Sequence, residues 1–276
     1  MKILANIGSS TYWIRDSFIE LLHEFGGIFL FLKKILHTYL KTSGNTRPII
    51  GQIAYVAIRS IPTVAFSGVF VGAILVLQFN LILAQYDAQA FLGGLNTSAV
   101  VREVGPLIIS FLLAGKIGAF TAAELGTMRV TEQIDAIQCL GTNPIQYLVV
   151  PRFMAIVISS VILLIIGLCI SVGGSMLVAG ILCGINPLQY LSSIPRFTGV
   201  WTVTCGMFKS LVYGIIVAGV ACYKGYSASG GARGVGKAVT QAAIYTNLYI
   251  VIANYLTSFF LEGAYLLGTK IFGGTH

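Results

Sequence analysis

Three places in this 276-residue sequence hold side chains able to do polar chemistry inside or beside long apolar segments. Arg102 and Glu103 are adjacent near the start of one such segment, and Lys209 stands alone within another. The third place is KIGAFTAAELGTMRVTEQIDAIQCLGTNPIQYLVVPR, which carries Lys116, Glu124, Arg129, Glu132, Asp135 and Arg152 between two nearly charge-free runs. The chemistry open to these groups is ion pairing, headgroup contact and partner docking. Hydrolysis inside a membrane needs a nucleophile beside a base, or paired carboxylates. His23, His37 and His276 all lie outside the apolar segments, as do Asp16, Asp87 and Asp135. No catalytic residue is therefore expected, and the chain is not read as an enzyme. Cys139, Cys169, Cys183, Cys205 and Cys222 lack metal-ligand spacing, so they read as small buried hydrophobes and no metal site is expected.

One further stretch imitates a phosphate-binding loop. Gly231 to Ala238, GARGVGKA, is one residue short of GxxxxGK[ST]. Ala238 lacks the hydroxyl that holds Mg²⁺, and an apolar helix precedes the stretch where the motif requires a β-strand. It reads as a glycine-rich basic turn at a membrane face, with no cofactor bound by this chain.

The elements that must carry these residues follow from composition. Only 9% of residues are charged and 56% are hydrophobic, against about 25% charged in a soluble domain. The chain therefore reads as an all-α integral membrane protein. A charge costs roughly 2.5–3.5 kcal/mol at the centre of a spanning helix, so the dense run after Lys116 belongs in water or against a partner. The net charge of +8 is not a nucleic-acid signal, because the basic residues are spread over loops without interleaved aromatics.

Five spans are predicted, at about 61–86, 99–123, 153–182, 197–223 and 239–268, after an N-terminal segment 1–60 that does not span. The membrane-spanning domain is thus 61–276. In the N-terminal segment Phe18, Ile19, Leu21, Leu22 and Phe25 alternate with Asp16, Glu20, His23 and Glu24 at helical spacing, and Lys33, Lys34 and Lys41 follow. That pattern predicts one or two amphipathic helices in the headgroup region. Gly68-x-x-x-Gly72 in the first span offers a close-packing face, and Gln78 is polar within it. Asp87–Ser98 reads as a short polar turn, and Asn186–Arg196 as a loop with a short interfacial helix. Arg102 and Glu103 are either a snorkelling pair or the rim of a substrate cavity. Lys209 needs a partner or a wet pocket, and the sequence names neither.

Lys and Arg fix an orientation. Seven lie before residue 61, three in the segment from Lys116 to Arg152, and three more at Lys224, Arg233 and Lys237. Only Arg102, Arg196 and Lys270 fall on the other side. The bias predicts a cytoplasmic N-terminus. Between spans two and three, Val130, Ile134, Ile137 and Leu140 form an apolar stripe, opposite Glu132, Asp135 and Gln138. Gly126 and Gly141 are the expected bends. The stripe fits a helix lying on lipid, or a docking helix seated in a partner's groove.

Four blocks carry a resemblance: VREVGP (101–106), AGKIGAFTAAELGTMRVTEQIDAI (114–137), NPIQYLVVPR (143–152) and GYSASGGARGVGKA (225–238). Together they resemble the MlaE-type permeases, the membrane subunits of phospholipid-moving ABC transporters associated with MCE-domain proteins. The resemblance spans roughly residues 50–270. It implies a homodimer with two cytoplasmic ATPase subunits, which hold the ATP and Mg²⁺, and an MCE-domain protein on the outer face. It also implies a coupling helix carrying Glu124, Met128, Arg129, Glu132, Ile134, Asp135, Ile137 and Leu140. A phospholipid cavity shared by two copies would be lined by Val71, Leu75, Gln78, Arg102 and Glu103. The family implies a bacterial inner membrane, with the plastid inner envelope as the alternative. A non-transporting scaffold and an ion-coupled small-solute carrier are the competing readings.

Overall fold

The computed structural model describes the backbone of residues 2–41 and 47–272 and the side chains of residues 19, 22–41 and 49–268, and all of its regular structure is helical. The helices are α1 (Lys2–Lys41), α2 (Arg47–Leu83), α3 (Leu92–Ala99), α4 (Gly105–Leu113), α5 (Ala119–Val130), α6 (Gln133–Cys139), α7 (Val150–Cys183), α8 (Pro187–Phe197), α9 (Val200–Tyr226) and α10 (Gly231–Phe272). Five rods are long and apolar enough to cross a membrane: Ile49–Tyr86, Gln89–Val130, Ile145–Cys183, Val200–Tyr226 and Gly231–Gly268. The chain is a multi-pass, all-α membrane protein.

The second rod is assembled from pieces. α4 is flanked by π-helical segments at Val100–Val104 and Ala114–Gly118. The first holds Arg102 and Glu103 and the second holds Lys116. Such wide turns inside α-helices are frequent at functional sites. Lys116 Nζ donates to the carbonyl of Arg59 and, at 2.9 Å, to Thr63 Oγ1. Pro62 lies inside α2, where it has no N–H to offer the preceding turn.

The core joins α2, α4, α7, α9 and α10 through Val64, Ile109, Leu113, Leu163, Leu164, Tyr213, Val217 and Ile250. The close-packing face predicted on α2 is spent within the chain. Gly68 lies on Gly167 of α7, and Gly72 lies on Ser171 and Ser175. A Cβ on Gly72 would sit 2.6 Å from the Ser171 carbonyl oxygen, so only glycine permits this approach.

Several boundaries depart from the sequence reading. α2 starts at Arg47, so residues 47–60 belong to the helix that carries the first span. α1 is one helix, and it does more than float. Ile28, Phe31 and Ile35 are buried in the bundle, while Phe29, Leu30, Leu36 and Leu40 on its other faces are exposed. Asp16, Phe18, Glu20 and Leu21 of the amphipathic pattern lie outside the described side chains. Asp87–Ser98 is not a polar turn. It contains α3, whose Gly93 and Gly94 sit against Tyr190, Ser193 and Phe197 of α8. Asn96 Nδ2 donates to Ser175 Oγ (3.0 Å) and to the Tyr190 hydroxyl (2.9 Å) there. Low hydropathy hid this helix, because beside the buried Leu92 its packing falls to small and polar residues. α8 itself is capped by Asn186, whose Oδ1 accepts from Leu188 N. The stretch left between the fourth and fifth predicted spans shrinks to residues 227–230, and GARGVGKA, read as a basic turn, forms the first turns of α10.

Gly72→Val is expected to destabilise the protein by about 2–3 kcal/mol through overpacking. Gly173→Val, where a Cβ meets nothing, is expected to leave stability unchanged. Thermal unfolding of both variants in detergent checks this.

Candidate functional site

The charged stretch folds as a hairpin. α5 descends to Val130, Glu132 adopts a left-handed backbone (φ 61), and α6 runs Gln133–Cys139. A non-glycine residue at such an angle is strained, and strain of this kind collects at functional positions. α6 then stops at Gly141 (φ 78), where Gly141 N donates to Gln138 O and Thr142 N to Ile137 O. This double bond pattern satisfies the last carbonyls of the helix. Asn143 Oδ1 accepts from Ile145 N, starting the ascent through a π-helical turn at Ile145–Val149 into α7.

A bidentate ion pair clamps the two legs. Arg152 Nη2 donates to Glu124 Oε1 (2.7 Å) and Arg152 Nε to Glu124 Oε2 (3.2 Å). Arg152 is only 12% exposed, and its Nη1 also donates to the Leu148 carbonyl. Nearer the tip, Arg129 pairs with Asp135 at 2.5 Å in solvent.

The expected single apolar stripe is divided. The break at Thr131–Glu132 places Val130 on a different helix from the rest. Ile134 is fully buried among Phe31, Ile35, Leu125, Ile145, Leu148 and Val149, and Ile137 and Met128 are half-buried around it. Ile134 thus anchors α6 to its own chain and presents no surface to a partner. Leu140 faces the other way and is 83% exposed. Glu132, Asp135 and Gln138 are exposed, as expected. Gly141 is a bend and Gly126 is not. Gly126 lies mid-α5 and lets Ala228 and Val235 approach.

A second polar cluster lies among the spans. Arg102 and Glu103 do not pair with each other. Arg102 pairs with Glu262 of α10, and Glu103 pairs with Lys209 of α9 at 2.6 Å. Lys209 is fully buried and also donates to Ser258 Oγ (2.7 Å), while Ser258 donates on to Glu103. One turn along, the Tyr213 hydroxyl donates to Asn254 Oδ1 (2.7 Å). The missing partner of Lys209 is therefore Glu103, which lies with Arg102 in the π-helical turn Val100–Val104. Ser258, Asn254 and Tyr213 were not singled out from sequence, yet a signal exists. Asn254, Ser258 and Glu262 recur every four residues along α10, one polar stripe in an apolar helix.

The remaining cavity candidates are scattered within one chain. Val71 borders a pocket of only about 20 Å³ with Gly68, Val100, Gly105 and Leu168. Leu75 is half-buried and Gln78 is exposed. Among the described residues no group of His, Cys, Asp or Glu is arranged to hold a metal ion.

Residues 49–260 match the family model described as Permease MlaE. A probable ABC transporter permease protein of Rickettsia felis is 35% identical over 92% of this chain and 97% of its own length. One from Synechocystis is 37% identical over 79% of this chain and 82% of its own. A chloroplastic protein of Arabidopsis thaliana named trigalactosyldiacylglycerol 1 is 33% identical, covering 82% of this chain and 65% of that protein.

Lys209→Met is expected to strand the Glu103 carboxylate. Removing one member of a buried pair costs about 3–5 kcal/mol, and the partial exposure of Glu103 points to the lower end. Arg129→Ala removes an exposed pair and is expected to cost less than about 1 kcal/mol. Unfolding midpoints of the two purified variants, compared with the parent, decide it.

Proposed function

The chain belongs to the MlaE permease family, and on that premise we propose that it is the membrane subunit of an ATP-driven transporter moving phospholipid between membranes. The observation that carries the proposal is the clamped hairpin. Its tip exposes Glu132, Gln133, Asp135, Gln138 and Leu140, while Ile134 and the Arg152–Glu124 pair fix both legs. A push on the tip therefore reaches α5 and α7 together. α5 is continuous with the rod that holds Lys116, Arg102 and Glu103. ATP and Mg²⁺ belong to separate ATPase subunits that grip this tip, with Leu140 as the apolar anchor. Hydrolysis is theirs, and this chain supplies the path.

Other features support the rest of the reading. The basic residues favour a cytoplasmic hairpin and N-terminus in a bacterial inner membrane. The chloroplastic relative supports the plastid inner envelope as the alternative. That relative's name contains a glycerolipid, which supports a lipid cargo. Phe66, Phe70, Ile74, Leu77 and Leu81 form an exposed stripe on α2, a face suited to lipid or to a second copy of the chain. Two copies would enclose the phospholipid cavity against Val71, Leu75, Gln78, Arg102 and Glu103. The α3–α8 pair, at the end opposite the hairpin, is where an MCE-domain protein would sit.

Replacing Leu140 with Asp together with Glu132→Lys and Asp135→Lys is expected to cut recovery of the ATPase with the affinity-purified chain at least tenfold, with the amount of chain in the membrane unchanged. Undiminished ATPase recovery would overturn the docking role of the tip.

A further inference from the structure

α1, α9 and α10 meet along a seam that the transport reading does not use. Lys224, at its polar end, lies 15 residues beyond Lys209 on α9, or about 22 Å along the helix. Two cavities open on this seam. The first, of about 250 Å³, is polar and is bordered by Glu24, Lys224, Ser227, Ser229, Lys237 and Gln241. The second, of about 170 Å³, is almost wholly apolar and is bordered by Phe25, Phe29, Leu32, Ile216, Tyr249 and Leu256. Neighbouring residues Glu24 and Phe25 of α1 face one cavity each. On α10 the step from Gln241 to Tyr249 is eight residues, about 12 Å.

The polar cavity offers two complementary binding groups. Lys224 is buried and already committed: its Nζ meets Glu24 Oε1 at 2.7 Å, donates to Gln241 Oε1 and lies 4.6 Å from the centre of the Tyr245 ring. Glu24 Oε2, by contrast, is buried without a hydrogen-bond partner among the described residues. A buried carboxylate oxygen in that state calls for a donor. Lys237 is exposed, makes no ion pair among the described residues, and stands in the second turn of α10, whose N-terminal amides favour an anion. A group carrying both a phosphate and an N–H donor satisfies both sites at once. Beyond it, the apolar cavity continues on the hydrocarbon side.

We propose that this seam binds one phospholipid of the leaflet at the hairpin end, with a phosphoethanolamine headgroup. Its ammonium donates to Glu24 Oε2, its phosphate meets Lys237 and the start of α10, and an acyl chain lies along Phe25, Phe29 and Leu256. The site is independent of lipid transport, and a non-transporting scaffold would hold the same lipid.

The test is thermal unfolding of the full, delipidated chain in detergent, titrated with four probes: phosphatidylethanolamine, phosphatidylcholine of the same acyl chains, glycerophosphoethanolamine and inorganic phosphate. A ligand that binds only the folded state raises the midpoint. Phosphatidylethanolamine is expected to do so at a concentration at least fivefold below phosphatidylcholine, whose headgroup has no N–H. The two chain-free probes are expected to do nothing at those concentrations. Lys237→Glu, on the surface, and Leu256→Trp, which fills the apolar cavity, are each expected to raise the phosphatidylethanolamine requirement at least tenfold from their own unliganded midpoints. Equal effects of the two lipids would overturn the role of Glu24. An equal effect of either chain-free probe would make the occupant a free phosphate compound and overturn the lipid. An unaltered requirement in Lys237→Glu would overturn the site.

Discussion

A charge held among apolar helices must meet its counter-charge on a neighbouring helix, and such meetings decide how this bundle is joined. Lys209 on α9 meets Glu103 on the second rod, and Arg102 beside it meets Glu262 on α10. Lys224, at the other end of α9, meets Glu24 on α1, and Arg152 at the start of α7 meets Glu124 on α5. Each pair ties together elements distant in sequence. Hydrophobic burial cannot select among helix faces that are all apolar, and van der Waals packing alone is weakly specific in lipid. The pairs supply that selection, and the glycine-on-serine contacts of α2 and α7 then set how close the helices come.

The distribution of these pairs gives the bundle two unlike ends. At the hairpin end, the Arg152–Glu124 clamp and the buried Ile134 make a stiff lever whose tip is free. Deeper in the bundle, Glu103 on the same rod is knotted by an ion pair and hydrogen bonds to Lys209 of α9 and Ser258 of α10. π-helical turns at Val100–Val104 and Ala114–Gly118 lie between rigid α-helical stretches of that rod. The first of them holds Glu103 itself, and the second lies between that knot and the hairpin.

Much of this was legible in the sequence. The five spans, a short helix between the second and third, its end at Gly141 and the close-packing use of Gly68 and Gly72 all follow from hydropathy, helix-stop chemistry and small-residue spacing. Three kinds of feature were not. The left-handed turn at Glu132 has no composition signal, since glutamate is an unfavoured residue there, and it divided a stripe that periodicity had joined. α3, LGGLNTSA, buries Leu92 but otherwise packs through Gly93, Gly94, Asn96 and Thr97, small or polar residues that register as polarity. The partners of Arg102 and Glu103 lie on two different helices because neighbouring residues point about 100° apart on a helix, and which helix each one meets is set by the packing of α9 and α10, distant in sequence. The four-residue period of Asn254, Ser258 and Glu262 is present in the sequence, went unread there, and marks α10 as a helix that meets Arg102, Glu103 and Lys209.

The account stands on the hairpin tip lying in the cytoplasm, where an ATPase can grip it. Cys205 and Cys222 are buried as the sequence suggests, but Cys139 and Cys169 are exposed; Cys139, in α6 beside Leu140, serves as a native reporter. In cells expressing a variant in which the other four cysteines are replaced by alanine, a membrane-impermeant maleimide is expected to modify Cys139 only after the membrane is permeabilised. Modification of Cys139 in intact cells, with the same extent before and after permeabilisation, would place the tip outside and contradict it.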